Sequence, residues 1–351
     1  MIYRTPNYYN KFRCIADKCM DNCCIGWEID IDNSTAEKYR NISGDFGKWL
    51  KENISFGESS CFILGEDDRC PFLNNHNLCD IITQLGESAL CQICTDHPRY
   101  YEWFGNIKEG GIGMSCEEAA RIILTEESLF SYTETEISDE EYFNYDEYLY
   151  DILFQLRERI INIFNDKTIP FSQCLIDILE LTSIHQECMD NDCPLPDDIP
   201  KIHAQNGNIA DILDFLQTLE PISEEWHPTL ARAVEKMSEI ATNKDSFLKE
   251  NPQIEKYLRN IGIYFIWRYL LKGVFDGEFL SRAVLAVVSV CIIAVLWAEK
   301  WLSSGLSEND CIEIAKNYSK EIEYSEENLE AVLEAAYELP TMSVSALKDL
   351  I

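Results

Sequence analysis

The sequence has few basic residues and none of the short motifs that identify common enzyme classes. Lysine and arginine total 29 against 62 aspartate and glutamate residues, which gives a formal net charge of -33. Such a chain repels phosphate backbones and anionic lipid surfaces, so we expect neither a nucleic-acid nor a membrane partner. It contains no P-loop, H-E-x-x-H, G-x-S-x-G or C-x-x-C-H motif. The negative charge would instead attract a cationic group such as a lysine side chain.

A secretory leader and a long apolar run are missing as well. The first residues have no basic stretch followed by an apolar one, so no signal peptide is predicted. The longest apolar run, residues 283–298, is shorter than the roughly 20 residues that span a bilayer, and we predict a buried helix there. We therefore expect a soluble, cytoplasmic protein. In that reducing compartment clustered cysteines bind metals or serve redox chemistry, with disulfides as the alternative for a secreted fragment.

The two parts of the sequence differ in periodicity. Residues 1–125 mix cysteine, glycine and asparagine with short apolar pieces, and metal cross-links would compensate for the small core of such a segment. An acidic stretch at 126–141 marks the predicted boundary. Beyond it apolar residues recur with a period of 3.6. We predict a mainly α protein, in which an irregular cysteine-rich metal-binding module (1–125) precedes an all-helical domain (126–351).

Individual elements follow from the same patterns. Ser115, with Glu118 at the capping-box position, predicts a helix start, and the alternation at 27–32 predicts a strand. Prolines at 194, 196 and 200 predict a loop over 187–200. The predicted helices of the second part are 142–164, 172–184, 207–219, 226–241, 251–272, 278–302, 307–319 and 325–338.

Cysteines are the most informative residues of the first part. The chain has fifteen of them, and ten lie within the first 116 residues. Their close spacing near the start lets one loop wrap several thiolates around a single centre. Because adjacent cysteines point apart in most backbone conformations, we expect that Cys23 and Cys24 do not both bind one ion. The ten are Cys14, Cys19, Cys23, Cys24, Cys61, Cys70, Cys79, Cys91, Cys94 and Cys116.

Thiolate-only ligand sets suit either zinc or an iron–sulfur cluster. Tandem zinc sites usually have two C-x2-C pairs, whereas this chain has one, Cys91 with Cys94. Irregular spacing over about 100 residues is typical of a cuboidal cluster gathered from separate loops. We therefore favour a four-iron cluster, with zinc as the alternative. His76 and His97 lie among the cysteines and are predicted to be loop residues near the site, although either has the chemistry of a ligand.

Two weaker features lie between these cysteines. Glycines at 110, 111 and 113 predict an ordinary loop, with a turn that approaches a cofactor as the alternative. Aromatic residues between 100 and 104 are predicted to belong to the core. The alternative is that they form the wall of a cation site.

Several motifs together carry a family resemblance that covers nearly the whole chain. They are Tyr8-Tyr9-x2-Phe12-x-Cys14-x4-Cys19-x3-Cys23-Cys24, Cys70-Pro71-Phe72-Leu73, Leu78-Cys79-x-Ile81, Leu90-Cys91-x2-Cys94-x3-Pro98-Arg99, Ser115-Cys116-x-Glu118-Ala119-Ala120-Arg121 and Glu321-Ile-Glu323-x-Ser325-x2-Asn328-Leu329. The sequence with these motifs resembles the flagellin lysine-N-methylase family of motile bacteria. Its first part also resembles small cysteine-rich proteins described as iron- or zinc-chelating. Glu117 departs from the pattern, since proline is expected there.

The resemblance implies an enzyme that transfers methyl groups from S-adenosylmethionine to lysine side chains of flagellin and carries an iron–sulfur cluster. No glycine-rich nucleotide fingerprint follows a strand, so a Rossmann methyltransferase fold is disfavoured. Neither a catalytic base nor the residues of a methyl-donor site can be named. The alternative is a non-catalytic iron- or zinc-binding, redox-sensing protein whose helical part binds a partner.

The candidate metal ligands follow from the match to the motifs. There are nine, more than one four-iron cluster requires, so either two centres exist or some thiols are structural. Because methyl transfer to an amine does not itself require iron, we expect the cluster to be a structural staple, with a different transfer chemistry as the alternative. The candidate ligands are Cys14, Cys19, Cys23, Cys24, Cys70, Cys79, Cys91, Cys94 and Cys116.

Overall fold

The computed structural model describes residues 1–57, 59–138 and 144–351. These residues form two small sheets within residues 2–136 and helices after them, so the prediction of a mainly α protein is confirmed. The end of the predicted boundary stretch and the predicted helix start at 142 lie outside the described residues. The division into domains at 125/126 stays a prediction.

Short strands lie only within residues 2–136 of the described chain. The strand predicted at 27–32 is reduced to two residues, because only Asp30 and Ile31 pair with a neighbour. The strands are β1 (Ile2–Pro6), β2 (Asp30–Ile31), β3 (Ile54–Ser55), β4 (Ser60–Phe62), β5 (Arg99–Phe104), β6 (Ile107–Ile112) and β7 (Tyr132–Glu136).

Helices account for most of the second part and for several short elements of the first. They are α1 (Asn33–Asn41), α2 (Gly44–Glu52), α3 (Asp80–Leu85), α4 (Gln92–Asp96), α5 (Glu117–Thr125), α6 (Glu147–Asn165), α7 (Phe171–Asp190), α8 (Ile209–Leu216), α9 (Trp226–Glu235), α10 (Met237–Glu250), α11 (Ile254–Tyr269), α12 (Leu280–Ser304), α13 (Glu308–Glu323), α14 (Glu326–Glu338) and α15 (Val344–Leu350).

The larger sheet has the order β5-β6-β1-β7. A two-residue turn joins β5 to β6, and Gly105 occupies the left-handed region there with φ of +57°, as tight hairpin turns require. β1 pairs in parallel with β6 and antiparallel with β7. β7 lies within the stretch 126–141, so the sheet of the first part extends beyond residue 125.

Two hydrophobic cores hold the chain together. The larger core joins residues of the first part, such as Phe12 and Phe104, to the helices of the second part. The smaller core is built only from the first part, with Ile29, Leu50 and Phe72 at its centre. The helical region therefore packs directly against the sheet, whereas the loops between β1 and β5 have a core of their own.

Several helix boundaries differ from the predictions; α7, for example, runs to Asp190 and so takes in the start of the loop predicted over 187–200. Ser115 is not the cap of α5, because Cys116 occupies the N-cap position without a side-chain hydrogen bond. Glu118 does not complete a capping box either, since its carboxylate accepts two hydrogen bonds from Arg121, at 2.6 and 2.7 Å. The helix predicted at 226–241 is instead two helices, α9 and α10, which meet at Lys236. The short helices α1, α2, α3, α4 and α15 are not predicted by the sequence patterns.

α12 contains the long apolar run. It is long and apolar enough to cross a bilayer by length and composition, but 78% of its most apolar window is buried inside the protein. The surrounding helices bury most of it, as its fully buried Trp297 illustrates. Burial of this kind is expected for the central helix of a folded core, so the prediction of a buried helix is confirmed.

Glu299 near the end of α12 should make stability depend on pH. Burial raises the pKa of Glu299, but hydrogen bonds from Ser303 and Lys236 outweigh that effect, so its pKa lies below the usual value. The stabilisation is complete above the ordinary glutamate pKa of about 4.3 and is lost as pH falls through the lower folded-state pKa. We expect Glu299→Gln to cost about 1–3 kcal/mol at neutral pH and less in acid, as measured by urea unfolding. The exposed Glu313→Gln is the control; an equal loss at both pH values would contradict the assignment.

Candidate metal centre

Five of the candidate ligands lie in or against the smaller core, and we call them the inner thiol group. Cys70 and Cys91 are buried, and the other three are partly buried against the same apolar residues. The fifteen cysteines of the chain are all free thiols. The inner thiol group is Cys24, Cys70, Cys79, Cys91 and Cys94.

Backbone hydrogen bonds bring the loops of this group together. The Cys70 N–H donates to the carbonyl of Cys24 over 2.8 Å, beside a bridge between Ile25 and Arg69. A second bridge joins Leu73 to Cys79, immediately before α3. Three cysteines that are far apart in sequence are therefore held on adjoining backbone segments.

Asp32 positions the remaining two cysteines. Its carboxylate accepts one hydrogen bond from the backbone of Thr35 at the start of α1 and another from Gln92 at the start of α4, both over 2.9 Å. Burial raises the pKa of Asp32, but the Gln92 and Ser34 hydrogen bonds hold it well below its usual range. One carboxylate therefore caps two helices, and it fixes the short helix whose first turn carries Cys91 and Cys94.

The thiols of the inner group influence each other's ionisation. A hydrogen bond with Cys91 raises the pKa of Cys94, as do burial and the charges of Cys24 and Cys70. Burial and the charge of Cys79 raise the pKa of Cys70 to about 11. These thiols are therefore within electrostatic range of one another, and their thiolates repel. A bound cation would remove that repulsion and deprotonate them.

The other four candidate ligands lie where the first part meets the helices, and we call them the outer thiol group. The Cys19 thiol donates to the carboxylate of Glu117 over 3.6 Å, and the Met20 N–H donates to the same oxygen over 2.7 Å. These bonds hold the N-terminal loop against the start of α5, next to Cys116. Cys14 and Cys23 are exposed, unlike any member of the inner group. The outer thiol group is Cys14, Cys19, Cys23 and Cys116.

His97 lies beside the outer thiol group. Burial alone would lower the pKa of His97, but contact with Cys116 and Cys23 raises it to about 9. The pKa of the Cys23 thiol falls to about 5, first because of Cys24 and then because of His97. The Nδ1 atom of His97 is 3.3 Å from the hydroxyl of Tyr324. In the part of the chain that the structure describes, its Nε2 atom is buried and has no hydrogen-bond partner.

Neither group is a closed ligand shell as the side chains stand. Across residues 1–57, 59–138 and 144–351, no three or more His, Cys, Asp and Glu side chains are arranged to hold a metal ion. The chemistry of the donors nevertheless fits a thiophilic metal, since five free thiols lie in or against one core and, among the described residues, the buried Nε2 atom of His97 lacks a hydrogen-bond partner. Metal binding would therefore require the side chains to move inward.

Two other residues singled out in the sequence belong to neither group. His76 is exposed in a turn, where its N–H donates to Asn74. Cys61, which lies outside the motifs, contacts Glu28, and that contact raises the pKa of its thiol.

The glycine-rich stretch is a strand rather than the predicted loop. Gly110 and Gly111 belong to β6, and a Cβ atom on Gly111 would lie 2.2 Å from the Tyr100 hydroxyl. The neighbouring aromatic residues form β5. Phe104 belongs to the core as predicted, whereas the rings of Tyr101 and Trp103 each lie 4.7 Å from the ammonium group of Lys108. A lysine of the chain itself therefore occupies this aromatic cation site.

The outer thiol group also contacts the helical region. Asp21, between Cys19 and Cys23, forms ion pairs with Lys316 at 3.1 Å and Lys320 at 3.4 Å on α13. Tyr324 follows the same helix, and burial raises its pKa to about 12. Sequence reasoning treated His97 as a neighbour of the site and missed Tyr324. The only sequence signal that pointed to either residue was the position of His97, three residues after Cys94.

The architecture of the described residues defines a general class of protein. A thiol-rich module packs against a helical bundle, and the described residues contain no sheet of the nucleotide-binding type, in which parallel strands alternate with helices. The described chain is therefore a helical protein with a thiol-rich N-terminal part. Comparison with known proteins then gives the family.

Residues 157–347 match the family model described as the FliB lysine N-methylase C-terminal domain, which covers more than half of the chain. The chain belongs to the FliB lysine N-methylase family. No solved structure matches it.

Three curated relatives illustrate the similarity. Lysine-N-methylase of Salmonella typhimurium is 28% identical over 169 residues, and that of Salmonella choleraesuis is 30% identical over the same length. Each alignment covers 45% of this chain and 40% of the relative, so the chain spans less than half the length of these methylases. Flagellar biosynthetic protein FliU of Salmonella muenchen is 32% identical over 131 residues, covering 34% of this chain and 76% of the relative.

Proposed function

We propose that this protein is a lysine N-methyltransferase that transfers methyl groups from S-adenosylmethionine to lysine side chains of flagellin. The observation that carries the proposal is the family match over residues 157–347. The relatives that are named lysine-N-methylase and flagellar biosynthetic protein support the same reaction and the flagellar substrate. The fifteen free thiols support a reducing, cytoplasmic place of action.

We also propose that the N-terminal cysteines hold an iron–sulfur cluster. The support is the convergence of free thiols in the inner group, which supplies more than the four thiolates that such a cluster requires. A bound cluster would cross-link the loops of the smaller core. The residues that would hold it come from the nine named cysteines, and the inner group is the better shielded from solvent.

The charge of the protein suits a lysine substrate. With 62 acidic and 29 basic side chains, the protein attracts the ammonium group from a distance. Methyl transfer requires the neutral amine, and free lysine has a pKa near 10.4, so the site must also remove water or the proton. Attraction and deprotonation therefore have to occur at different places on the protein.

The junction beside the outer thiol group has polar atoms suited to positioning an amine. In the described part of the chain, the buried Tyr100 hydroxyl makes no hydrogen bond there, and the buried Ser115 hydroxyl contacts Tyr324. The Arg268 guanidinium lies over the Tyr100 ring at 4.5 Å. The Tyr100 hydroxyl can accept or donate a hydrogen bond without losing an existing one.

Mass spectrometry of flagellin tests the proposed reaction. The full chain, purified without oxygen, is incubated with flagellin and S-adenosylmethionine, with the donor omitted as the control. We expect each methyl group to add the mass of one CH2 unit to a lysine. Unmodified flagellin, after incubation with protein that carries an intact cluster, would contradict the proposal. It would favour a non-catalytic metal-binding or redox-sensing protein.

A further inference from the structure

The nine candidate ligands lie in two different packing environments. The inner thiol group belongs to the smaller core, which only the first part of the chain builds. Cys116 of the outer thiol group packs against the larger core. One set of thiols therefore lies inside the N-terminal module, and the other lies at the junction with the helical region.

The division between the groups falls between two adjacent residues. The carbonyl of Cys24 accepts a hydrogen bond from Cys70, and its side chain packs against the smaller core. The carbonyl of Cys23 instead accepts from the indole of Trp27 over 2.6 Å, and the Trp27 ring lies 6.1 Å from the His97 ring. The backbones of these neighbouring cysteines are therefore held by different partners, and their thiols contact each other where the two groups meet.

His97 supplies a nitrogen donor to the outer group alone. Tyr324 engages Nδ1, which leaves Nε2 as the available ring nitrogen. Within the described residues that Nε2 atom is buried without a hydrogen bond. An imidazole that binds a metal usually has its other nitrogen fixed by a hydrogen bond in this way. Burying an unpaired polar atom is unfavourable, and a metal at Nε2 would satisfy it.

We propose that the outer thiol group and His97 form a second metal centre, separate from the cluster assigned to the inner thiol group. The centre would bind a thiophilic ion, iron or zinc, through thiolate and imidazole ligands. This inference rests on the proposed cluster but not on methyl transfer. Because Cys14 and Cys23 are exposed, the second centre should exchange its metal with solvent more readily than the inner one.

Metal analysis of paired variants tests the proposal. Iron, zinc and acid-labile sulfide are measured per chain in oxygen-free full-length protein. We expect the double variant Cys19→Ser/Cys116→Ser to lose part of the metal and to retain the iron and sulfide of the inner cluster. We expect Cys79→Ser/Cys94→Ser, which spares the fully buried thiols, to lose that iron and sulfide but keep the remaining metal. Cys61→Ser is the control and should match the unchanged protein.

A histidine pair gives a second readout. We expect the His97→Gln variant to lose the outer metal at a chelator concentration about 10- to 100-fold lower than the unchanged protein requires. His76→Gln should leave retention unchanged, because His76 is exposed in a turn where its backbone N–H donates to Asn74. Circular dichroism establishes that each variant is folded.

Two results would overturn the inference. Either cysteine pair removing all metal at once would mean that the thiols share one centre. Full metal content in Cys19→Ser/Cys116→Ser would mean that the outer group binds none. These measurements use neither flagellin nor the methyl donor. Their outcome therefore does not depend on whether the protein methylates flagellin.

Discussion

Glu323→Gln is expected to lower the free energy of unfolding by about 3–5 kcal/mol, the usual cost of leaving one partner of a buried ion pair unpaired. The Glu323 carboxylate is fully buried and lies 2.9 Å from the guanidinium of Arg268. It also accepts hydrogen bonds from the hydroxyls of Tyr264 and Tyr269, both over 2.8 Å. The amide would keep the shape of the side chain but leave the positive charge of Arg268 without compensation.

Urea unfolding at neutral pH measures this effect. Glu330→Gln is the matched control, because Glu330 is exposed on α14 and such a change is expected to stay within about 0.5 kcal/mol. A loss below 1 kcal/mol for Glu323→Gln would contradict a charged, paired state of Arg268. A displaced Arg268 would also affect the outer thiol group, because Arg268 lies against Gly113 in the loop that leads to Cys116.

Glu109→Gln is expected to cause a similarly large loss, again about 3–5 kcal/mol. Glu109 on β6 binds the guanidinium of Arg157 on α6 through two hydrogen bonds of 2.5 and 2.7 Å. Arg157 is fully buried, and it also lies 4.2 Å from the ring centroid of Trp267. This pair links the larger sheet to the helical region, so the substitution weakens the contact between the two parts.

The control for Glu109 is a carboxylate at the edge of the same network. Arg4 lies 3.6 Å from Glu109 and also pairs with Glu134. About half of the Glu134 side chain is exposed, so Glu134→Gln should cost less than about 1 kcal/mol. Replacing both members of the buried pair, as in Glu109→Met/Arg157→Met, should recover part of the loss because no charge is left unpaired. Equal effects for Glu109→Gln and Glu134→Gln in a thermal or urea melt would contradict this account.

The helical region could be predicted from the sequence because each of its helices buries a continuous apolar face. The apolar spacing within α6, for example, matches the fully buried Leu153, Leu156 and Ile160. The long apolar run of α12 was sufficient to predict a buried helix, because most of that helix is buried. Helix ends were less predictable: the side chain of Lys236 gives no local signal that one helix ends and another begins there.

The larger sheet could not be predicted from local pattern. β6 contains two adjacent glycines, and β7 reads Tyr-Thr-Glu-Thr-Glu with most of its residues exposed, so neither shows the alternation typical of a half-buried strand. These segments become strands because β1, from the start of the chain, pairs with both. Such long-range pairing leaves no signal within a short window of sequence.

The arrangement of the candidate site could not be predicted from the sequence. The nine candidate ligands follow from the family motifs and stay a prediction, as does the expectation that Cys23 and Cys24 do not both bind one ion; in the structure their backbone carbonyls have different partners, but their thiols contact each other. The contact between His97 and Tyr324 joins residues 227 positions apart. Only the packing of the helices against the first part of the chain brings these two side chains together.

The central claim is that thiols of the first 116 residues bind iron. It is tested most directly by measuring iron and acid-labile sulfide in protein prepared without oxygen, together with its visible and Mössbauer spectra. The account predicts bound iron with a matching amount of sulfide, and a broad visible absorption that fades on reduction. Protein that contains zinc alone, or that contains no metal and has its thiols joined in disulfides, would contradict it.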